Sequence, residues 1–249
     1  MNKDSSHSDT TSRLDRALVH LGVGSRRQVQ QLIHAGAVQV EGSTITEPQR
    51  RIVAEGTVLS VAGRELIYHE YCYIMLHKPA GWLSSTTGAR SVLALLPQEE
   101  RRPGLFPVGR LDADSEGLLL LSNDGQLAHD LLAPRHMVPK RYFIRCRGIL
   151  DDAAVAAFAA GILLEDGERC LPARLILMSR EDGTTCAEVV VCQGMFHQVK
   201  RMIAQVGAEV IYLRREAIGP LTLDPALALG GWRHLRKEEV AALYRAATT

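Results

Sequence analysis

The sequence lacks the features that mark several large classes of protein. In its 249 residues, no apolar run approaches the roughly eighteen residues of a membrane-spanning helix. The polar start MNKDSSHSDTTS has no apolar segment like that of a secretory signal, and no Walker-type or GxGxxG loop supports nucleotide-cofactor chemistry. These absences predict a cytoplasmic protein without a nucleotide cofactor, with a disordered tail over residues 1–12.

The cysteines are few and do not pair. The chain has five, an odd number, and none of them belongs to a CxxC motif. This pattern favours reduced structural thiols over a disulfide framework or a zinc site. The composition, with 46% hydrophobic and 23% charged residues, is that of an ordinary globular protein, and the length suits one large domain or a small domain followed by a medium one.

The chain as a whole has almost no excess of positive charge, but two of its segments do have such an excess. A net charge of +1 does not by itself suit an obligate binder of polyanions. Between residues 131 and 149, however, there are five basic residues and no acidic one, and between residues 195 and 215 four basic residues accompany a single acid. Two such patches fit a phosphate-rich partner, and solvated surfaces explain them equally well from charge alone.

Residues 13–66 have the pattern of a small module. Helices are predicted in RLDRALVHLG and in SRRQVQQLIHAG, where Ser25 is a suitable N-cap and Gly36 a stop. AVQVEGSTI alternates around a turn at Glu41-Gly42, and GTVLSVAG is a further strand. The segment LVHLGVGSRRQVQQLIHAGAVQVEG resembles the alpha-L RNA-binding motif, with an unrelated helical cap as the alternative. The resemblance implies that arginines of this module contact structured RNA; the candidates are Arg13, Arg26 and Arg27.

From residue 67 to residue 249 the pattern changes to that of a larger domain. Predicted strands outnumber helices and their order is irregular, which favours an α+β fold with a mixed, largely antiparallel sheet over a doubly wound parallel sheet. Strands are predicted in YIMLHK, KRYFIRCRGIL, TTCAEVVVC and AEVIYLRR, and helices in DGQLAHDLLAP, DDAAVAAFAAG and FHQVKRMIAQVG.

The segment GRLDADSEGLLLLSNDG, residues 109–125, places acidic residues before four consecutive leucines. Asp112, Asp114 and Glu116 followed by Gly117 copy the opening of a calcium-binding loop. The twelfth position of such a loop should be a bidentate glutamate, but here it is Asn123, and leucines fill positions that need ligands. The leucine run predicts a buried strand, so we expect an acidic loop beside a strand rather than a metal site.

This segment resembles the signature of the RsuA-type pseudouridine synthases, which isomerise uridine in ribosomal RNA. The resemblance continues in order through YIMLHKPAGWLSST, LLAPRHMVPKRYFI, FHQVKRMIAQVG and RREAIGPLTL and, with the first module, covers nearly all the chain after residue 12. It implies a cofactor-free, monomeric isomerase that acts on ribosomal RNA or a ribosomal assembly intermediate, away from membranes. APRHMVPKRYF favours small-subunit RNA; large-subunit RNA, or a role in RNA binding without activity, are the alternatives.

The same resemblance assigns roles to individual residues. It makes Asp112 the catalytic carboxylate and Tyr142 the aromatic residue on which the flipped base stacks. Lys200 corresponds to the basic residue that pairs with the carboxylate and favours its ionised form. Arg201 follows it, but successive helix positions point about 100° apart, so only Lys200 is predicted to face the pocket. Arg110 is similar to the arginine that enters the RNA stack when the target nucleotide flips out.

Several of these residues also have structural interpretations. Arg110 suits an ordinary loop salt bridge, Tyr142 suits a core position with a satisfied hydroxyl, and His197 suits a local hydrogen bond at a helix start. Asp114 and Glu116 are expected to contact backbone amides or solvent. Further candidates for RNA contacts, taken from the two basic segments, are Arg135, Lys140, His197 and Arg201.

Overall fold

The computed structural model describes residues 11–53 and 55–248. Positions 1–10 of the predicted tail lie outside these residues, whereas Thr11 and Ser12 belong to a strand rather than to a tail. The described residues form two units: unit 1 is residues 11–72 with Pro97–Leu105, and unit 2 is Tyr73–Leu96 with residues 106–248. Within these ranges, no helix has both the length and the apolar character needed to cross a bilayer.

Short helices and strands follow one another along both units. The α-helices are α1 (Leu14–His20), α2 (Arg26–His34), α3 (Gly125–Leu132), α4 (Asp152–Ala160), α5 (Gln198–Gln205) and α6 (Lys237–Ala247). The strands are β1 (Thr11–Arg13), β2 (Val38–Val40), β3 (Ser43–Thr44), β4 (Arg51–Val53), β5 (Val58–Val61), β6 (Arg64–Ile67), β7 (Tyr73–Lys78), β8 (Phe106–Val108), β9 (Glu116–Ser122), β10 (Lys140–Arg147), β11 (Arg174–Glu181), β12 (Thr184–Val191), β13 (Glu209–Ile218), β14 (Leu221–Thr222) and β15 (Trp232–His234).

Unit 1 has the local structure that its sequence predicts. Ser25 caps α2 in a capping box: its hydroxyl accepts a bond from the Gln28 N–H at 3.4 Å, and its own N–H donates to Gln28 Oε1 at 2.9 Å. Glu41 and Gly42 both have positive φ, at 49° and 77°, which closes the tight hairpin between β2 and β3. Apolar residues of α1 and α2 share one core with the sheet β3-β2-β5-β6, and Val29 and Ile33 of α2 are fully buried there.

Unit 2 contains a mixed sheet. Its strand order is β11-β12-β10-β13-β9-β7-β15, with β14 beside β13 and β8 beside β9. Among the described strands, β9 and β13 form the one parallel pair, in which Arg214 and Arg215 lie beside Glu116 and Gly117. The prediction of a mixed, largely antiparallel sheet is therefore confirmed.

Two groups of helices cover parts of this sheet and define two cores. The α4–α5 core contains the inward faces of α4, α5 and strands β10 to β13, including Phe158, Met202 and Ile144. The α3–α6 core contains the inward faces of α3, α6 and strands β7 and β9. Leu118 and Leu120 of β9 belong to the α3–α6 core, and all four leucines from position 118 to 121 are fully buried. Both faces of β9 are covered, which explains an unbroken apolar run where a half-exposed strand would alternate.

Candidate active site

The acidic loop between β8 and β9 buries two of its side chains and leaves its charged ones exposed or half-buried. Leu111 and Ser115 are 6% and 1% exposed and fix the loop to the body of unit 2. Arg110 and Asp114 are exposed, and Asp112 is half-buried. The loop therefore presents its charged residues outward from a buried backbone.

A buried lysine holds this loop from below. Lys78, at the end of β7, is fully buried, and the three N–H groups of its ammonium lie within hydrogen-bond distance of four carbonyl oxygens: those of Pro79 at 3.1 Å, Asp112 at 2.9 Å, Ala113 at 3.3 Å and Ser115 at 2.7 Å. Burial lowers the pKa of Lys78 to about 8, and the nearby carboxylates oppose that shift. The carbonyls supply the polar contacts without which a buried ammonium would be strongly unfavourable.

The loop that follows β7 adds further bonds. The Ser84 hydroxyl donates to the Leu111 carbonyl at 2.8 Å and accepts from the Leu111 N–H at 3.0 Å. The Gly81 N–H donates to the Ala113 carbonyl at 2.7 Å. With both neighbours of Asp112 bonded in this way, the backbone at Asp112 has little freedom.

Arg215 of β13 supports the other end of the loop. It is 3% exposed and donates from Nε to the Leu118 carbonyl at 2.8 Å and from Nη1 to the Arg110 carbonyl at 3.4 Å. Gly117, beside it, has φ of +107°, and a Cβ there would stand 2.3 Å from the Arg215 carbonyl oxygen. Only glycine allows β9 to begin this close to β13.

The outward side chains of the loop meet two basic residues of the α5 region. Lys200 Nζ lies 3.4 Å from Asp112 Oδ2 and 2.6 Å from Asp114 Oδ1, and His197 Nε2 lies 3.3 Å from Asp112 Oδ1. The Lys200 ammonium lowers the pKa of Asp114, which corrects the expectation that Asp114 contacts only backbone amides or solvent. The Asp112 side chain is 29% exposed, so solution can reach a carboxylate that two basic groups flank.

The residues on either side of Lys200 point elsewhere. Arg201 forms ion pairs with Asp166 and with Glu168, the latter at 3.5 Å, and lies away from Asp112 as the helical angle requires. His197 precedes α5 in the left-handed region, with φ of 48°, and its ring stacks on that of Phe196 at 3.8 Å between centroids. The structure therefore places His197 against the carboxylate rather than in a local helix-start bond.

Tyr142 lies on the face of the sheet that carries α5. Its half-buried ring packs against the α4–α5 core. In the sheet Tyr142 is opposite Arg215 of β13, which is in turn beside Gly117 of β9. Because neighbouring strands are about 4.8 Å apart, Tyr142 lies about 10 Å across the sheet from the start of β9. Tyr142 and the helix that carries Lys200 thus share one side of the sheet.

Two of the three arginines predicted for RNA contacts in unit 1 lie beside one buried acid. Asp15 is fully buried and accepts an ion pair from Arg13 at 2.8 Å, while Arg26 is 3.9 Å away and 64% exposed. Arg27 is exposed. Arg13 is therefore largely engaged with the protein, whereas Arg26 and Arg27 present charge to solution.

The basic segments of unit 2 are less cationic on the surface than in the sequence. Lys140 was predicted to contact RNA, but it is 4% exposed and donates to the Val138 carbonyl at 3.1 Å, so the structure does not present its charge at the surface. Arg135 is 67% exposed and 3.5 Å from Asp130, and Arg110 forms no ion pair within the described residues. Ion pairs with acids neutralise further arginines: Arg141 pairs with Glu188, Arg147 with Glu209, Arg201 with Asp166 and Arg214 with Glu216.

Comparison with known proteins identifies the family. A family model described as RNA pseudouridylate synthase matches residues 72–205, which include the Asp112 loop and Lys200, and a model of the S4 domain matches residues 12–58. The chain belongs to the RNA pseudouridylate synthase family. The predicted isomerase activity is therefore confirmed at the level of the family, and a purely RNA-binding role is set aside.

Several pseudouridine synthases are similar along almost the whole chain. An uncharacterized RNA pseudouridine synthase, YtzG of Bacillus subtilis, is 40% identical over 233 residues, which is 93% of this chain and 98% of the relative. Ribosomal small subunit pseudouridine synthase A of Pseudomonas aeruginosa is 36% identical over 239 residues (93% and 100%), and ribosomal large subunit pseudouridine synthase B of Bacillus subtilis is 33% identical over 235 residues (93% and 95%). A crystal structure of a pseudouridylate synthase superimposes with a TM-score of 0.66 at 30% identity, covering 93% of this chain and 99% of that one.

The sequence did not reveal every residue that shapes this candidate site. Lys78 and Arg215 gave no signal as loop supports, because lysine and arginine are seldom buried and their carbonyl partners are distant in sequence. Ser84 follows a Pro-Gly-containing loop that has the pattern of an ordinary connection. Phe196 stands in the quoted FHQVKRM segment, but nothing in that pattern marks it as exposed.

Proposed function

We propose that this pseudouridine synthase converts one uridine of small-subunit ribosomal RNA into pseudouridine, with Asp112 as the reacting carboxylate. The observation that carries the proposal is the flanking of Asp112 by Lys200 and His197, at 3.4 and 3.3 Å, on a loop that the buried Lys78 supports. The small-subunit target is supported by the relative named ribosomal small subunit pseudouridine synthase A.

The chemistry of the reaction needs such a carboxylate and no redox partner. The bond between C1′ of the ribose and N1 of the base breaks, the base turns, and a bond forms between C1′ and C5. The proton on C5 is lost and N1 gains one, so atoms and electrons balance within the nucleotide. A carboxylate can add to the base or the sugar, or take a proton, and then leave. Lys200 places an ammonium group 3.4 Å from the Asp112 carboxylate, where it can interact with the negative charge of that group.

The target nucleotide must leave its helix before Asp112 can reach it. Flipping a base costs a few kcal/mol, and a planar cation that enters the gap replaces part of the lost stacking. Arg110 is exposed, two residues before Asp112, and suits that role. Tyr142 offers an aromatic ring to the flipped base on the side of the sheet that carries Lys200. Unit 1 docks the RNA through Arg26 and Arg27.

Two isosteric substitutions in the same loop test the assignment of the carboxylate. Asp112→Asn should lower the rate of pseudouridine formation by about 10⁴-fold or more, since it removes the reacting group. Asp114→Asn is the matched control, because it removes a carboxylate that also contacts Lys200, and the rate should stay within about tenfold of the wild type. Pseudouridine is measured by mass spectrometry of digested rRNA. Activity that survives Asp112→Asn and disappears in Asp114→Asn would show that the wrong acid was chosen.

A large-subunit target is the second candidate, because ribosomal large subunit pseudouridine synthase B of Bacillus subtilis is nearly as similar. Separate incubation of the enzyme with small-subunit and large-subunit rRNA transcripts, followed by pseudouridine mapping, distinguishes the two. A new pseudouridine in the large-subunit transcript alone would contradict the small-subunit assignment.

A further inference from the structure

An exposed aromatic ring stands beside the reacting carboxylate. Phe196 is 75% exposed, the most exposed of the large hydrophobic side chains in the described part of the chain. Its ring stacks on His197, with planes 18° apart, and His197 Nε2 lies 3.3 Å from Asp112 Oδ1. Single exposed apolar residues are common on proteins, but this one is connected to the catalytic loop through one imidazole ring.

The backbone around Phe196 is fixed even though the ring is not buried. Met195 packs against the α4–α5 core, and its N–H donates to the Gln198 side chain at 3.2 Å. The Phe196 carbonyl accepts a bond from Arg201 Nη1 at 3.4 Å, and Arg201 is itself paired with Asp166. The next residue, His197, adopts the left-handed region, which is unfavourable for a side chain larger than glycine. Hydrogen bonds and packing thus hold the backbone around Phe196 in place while its phenyl ring is exposed to solvent.

The chemistry of this ring suits a nucleobase. One face of Phe196 is covered by the His197 ring, and the opposite face is free to receive another flat ring. Unpaired RNA bases stack on aromatic side chains, and the stacking depends little on base identity because every base has a π-face. Lys200, close to the His197 ring through their shared contact with Asp112, adds positive charge for the phosphates of the same strand.

We propose that Phe196, supported by His197, is a stacking platform for a base next to the target uridine; this rests on the proposed role of Asp112. A ring on the free face of Phe196 is separated from the imidazole by the phenyl ring, and its centroid lies about 4.5 Å or more beyond that of Phe196. Asp112 cannot reach a base at that distance, which assigns the platform to a flanking nucleotide. The platform therefore selects uridines whose neighbour is also unstacked, as in loops and bulges.

Two substitutions at Phe196 separate stacking from simple apolar contact. Phe196→Leu keeps an apolar side chain but removes the π-face, and it should raise KM for the rRNA substrate about tenfold or more while kcat changes less than about threefold. Phe196→Trp should restore KM to the wild-type value. Met178→Ala, at a 62% exposed position on β11 away from the loop, is the control and should leave KM unchanged. Equal KM values for Phe196→Leu and the wild type would overturn the proposal.

Fluorescence tests the contact directly and without turnover. The chain has two native tryptophans, so the fluorescence of the protein without the substitution is subtracted to give that of the indole introduced by Phe196→Trp. In an Asp112→Asn background, a saturating rRNA transcript should quench the added fluorescence beyond the quenching of the parent. Unchanged fluorescence at saturation would refute stacking. Failure of the wild type to modify small-subunit rRNA would instead refute the proposed function, and the quenching test still applies with whichever rRNA the enzyme modifies.

Discussion

Replacement of Lys78 by methionine should slow catalysis about a hundredfold and lower the free energy of unfolding by no more than about 3 kcal/mol. Lys78→Met keeps an unbranched apolar chain and removes the ammonium that bonds the loop. The Asp112 carbonyl keeps a bond from the Ser115 N–H at 3.1 Å, and the Ala113 carbonyl keeps one from the Gly81 N–H at 2.7 Å. The carbonyls of Pro79 and Ser115 lose the one donor that the described residues provide.

The expected change in stability is limited because two effects oppose each other. Two unsatisfied buried carbonyls cost about 1–3 kcal/mol each, or about 2–6 kcal/mol together. Against this, the pKa of Lys78, lowered from 10.5 to about 8, corresponds to roughly 3 kcal/mol against the buried charge, which the substitution removes. The net loss should lie between about zero and 3 kcal/mol. The loss in kcat should be about a hundredfold, because loss of these bonds lets Asp112 move by about 1 Å from its working position.

Urea unfolding followed by tryptophan fluorescence measures the stability, since both tryptophans, Trp82 and Trp232, belong to unit 2. The pH dependence provides a second check. Between pH 8 and 10.5 the unfolded chain holds a proton on Lys78 that the folded chain has lost, so this group adds stability as pH rises through that window. The free energy of unfolding of the wild type minus that of Lys78→Met should therefore increase from pH 8 to pH 10. A loss above about 5 kcal/mol, or unchanged kcat, would refute the reasoning.

Three further predictions concern other parts of the molecule. Lys200→Met should lower kcat about a hundredfold with a smaller effect in Lys200→Arg, as single-turnover kinetics would show; equal rates in all three proteins would contradict its role. Arg233 lowers the pKa of Glu239 to about 2 from 4.5, so this ion pair stabilises the folded state above pH 4.5 and its contribution is lost toward pH 2. Below pH 4.5 the melting temperature of Glu239→Gln should therefore fall less than that of the wild type. Arg26→Ala with Arg27→Ala should reduce the slope of log affinity against log salt by about 1–2 in filter binding, and an unchanged slope would remove unit 1 from docking.

The sequence predicted most of the helices and strands that neighbouring residues determine. The capping of α2 by Ser25 and the buried run of β9 both follow from neighbouring residues, and both were predicted. Strand β11 was missed because its sequence, RLILMSRE, has four consecutive apolar residues rather than an alternation of apolar and polar ones. Helix α6 was also missed, although KEEVAALYRAA has acids in its first turn and apolar residues at helical spacing.

The site was predictable only where the family pattern specifies it. Asp112, Lys200 and Tyr142 came from that resemblance, whereas the contact of Lys200 with Asp114 joins residues 86 positions apart and depends on the fold. The charge count along the sequence likewise overestimated the surface charge at Lys140, because the fold buries its ammonium. Local sequence gives the number of charges, but the tertiary structure decides which are buried or paired.

The two members of the central ion pair come from different halves of the sheet. Asp112 leads into β9 and the α3–α6 core, while Lys200 lies on α5 in the α4–α5 core, and the halves meet where β9 runs beside β13. A molecule in which only one half of the sheet has formed contains Asp112 without Lys200 beside it, or Lys200 without Asp112. The charge pair therefore exists only once both halves of the sheet have folded against each other.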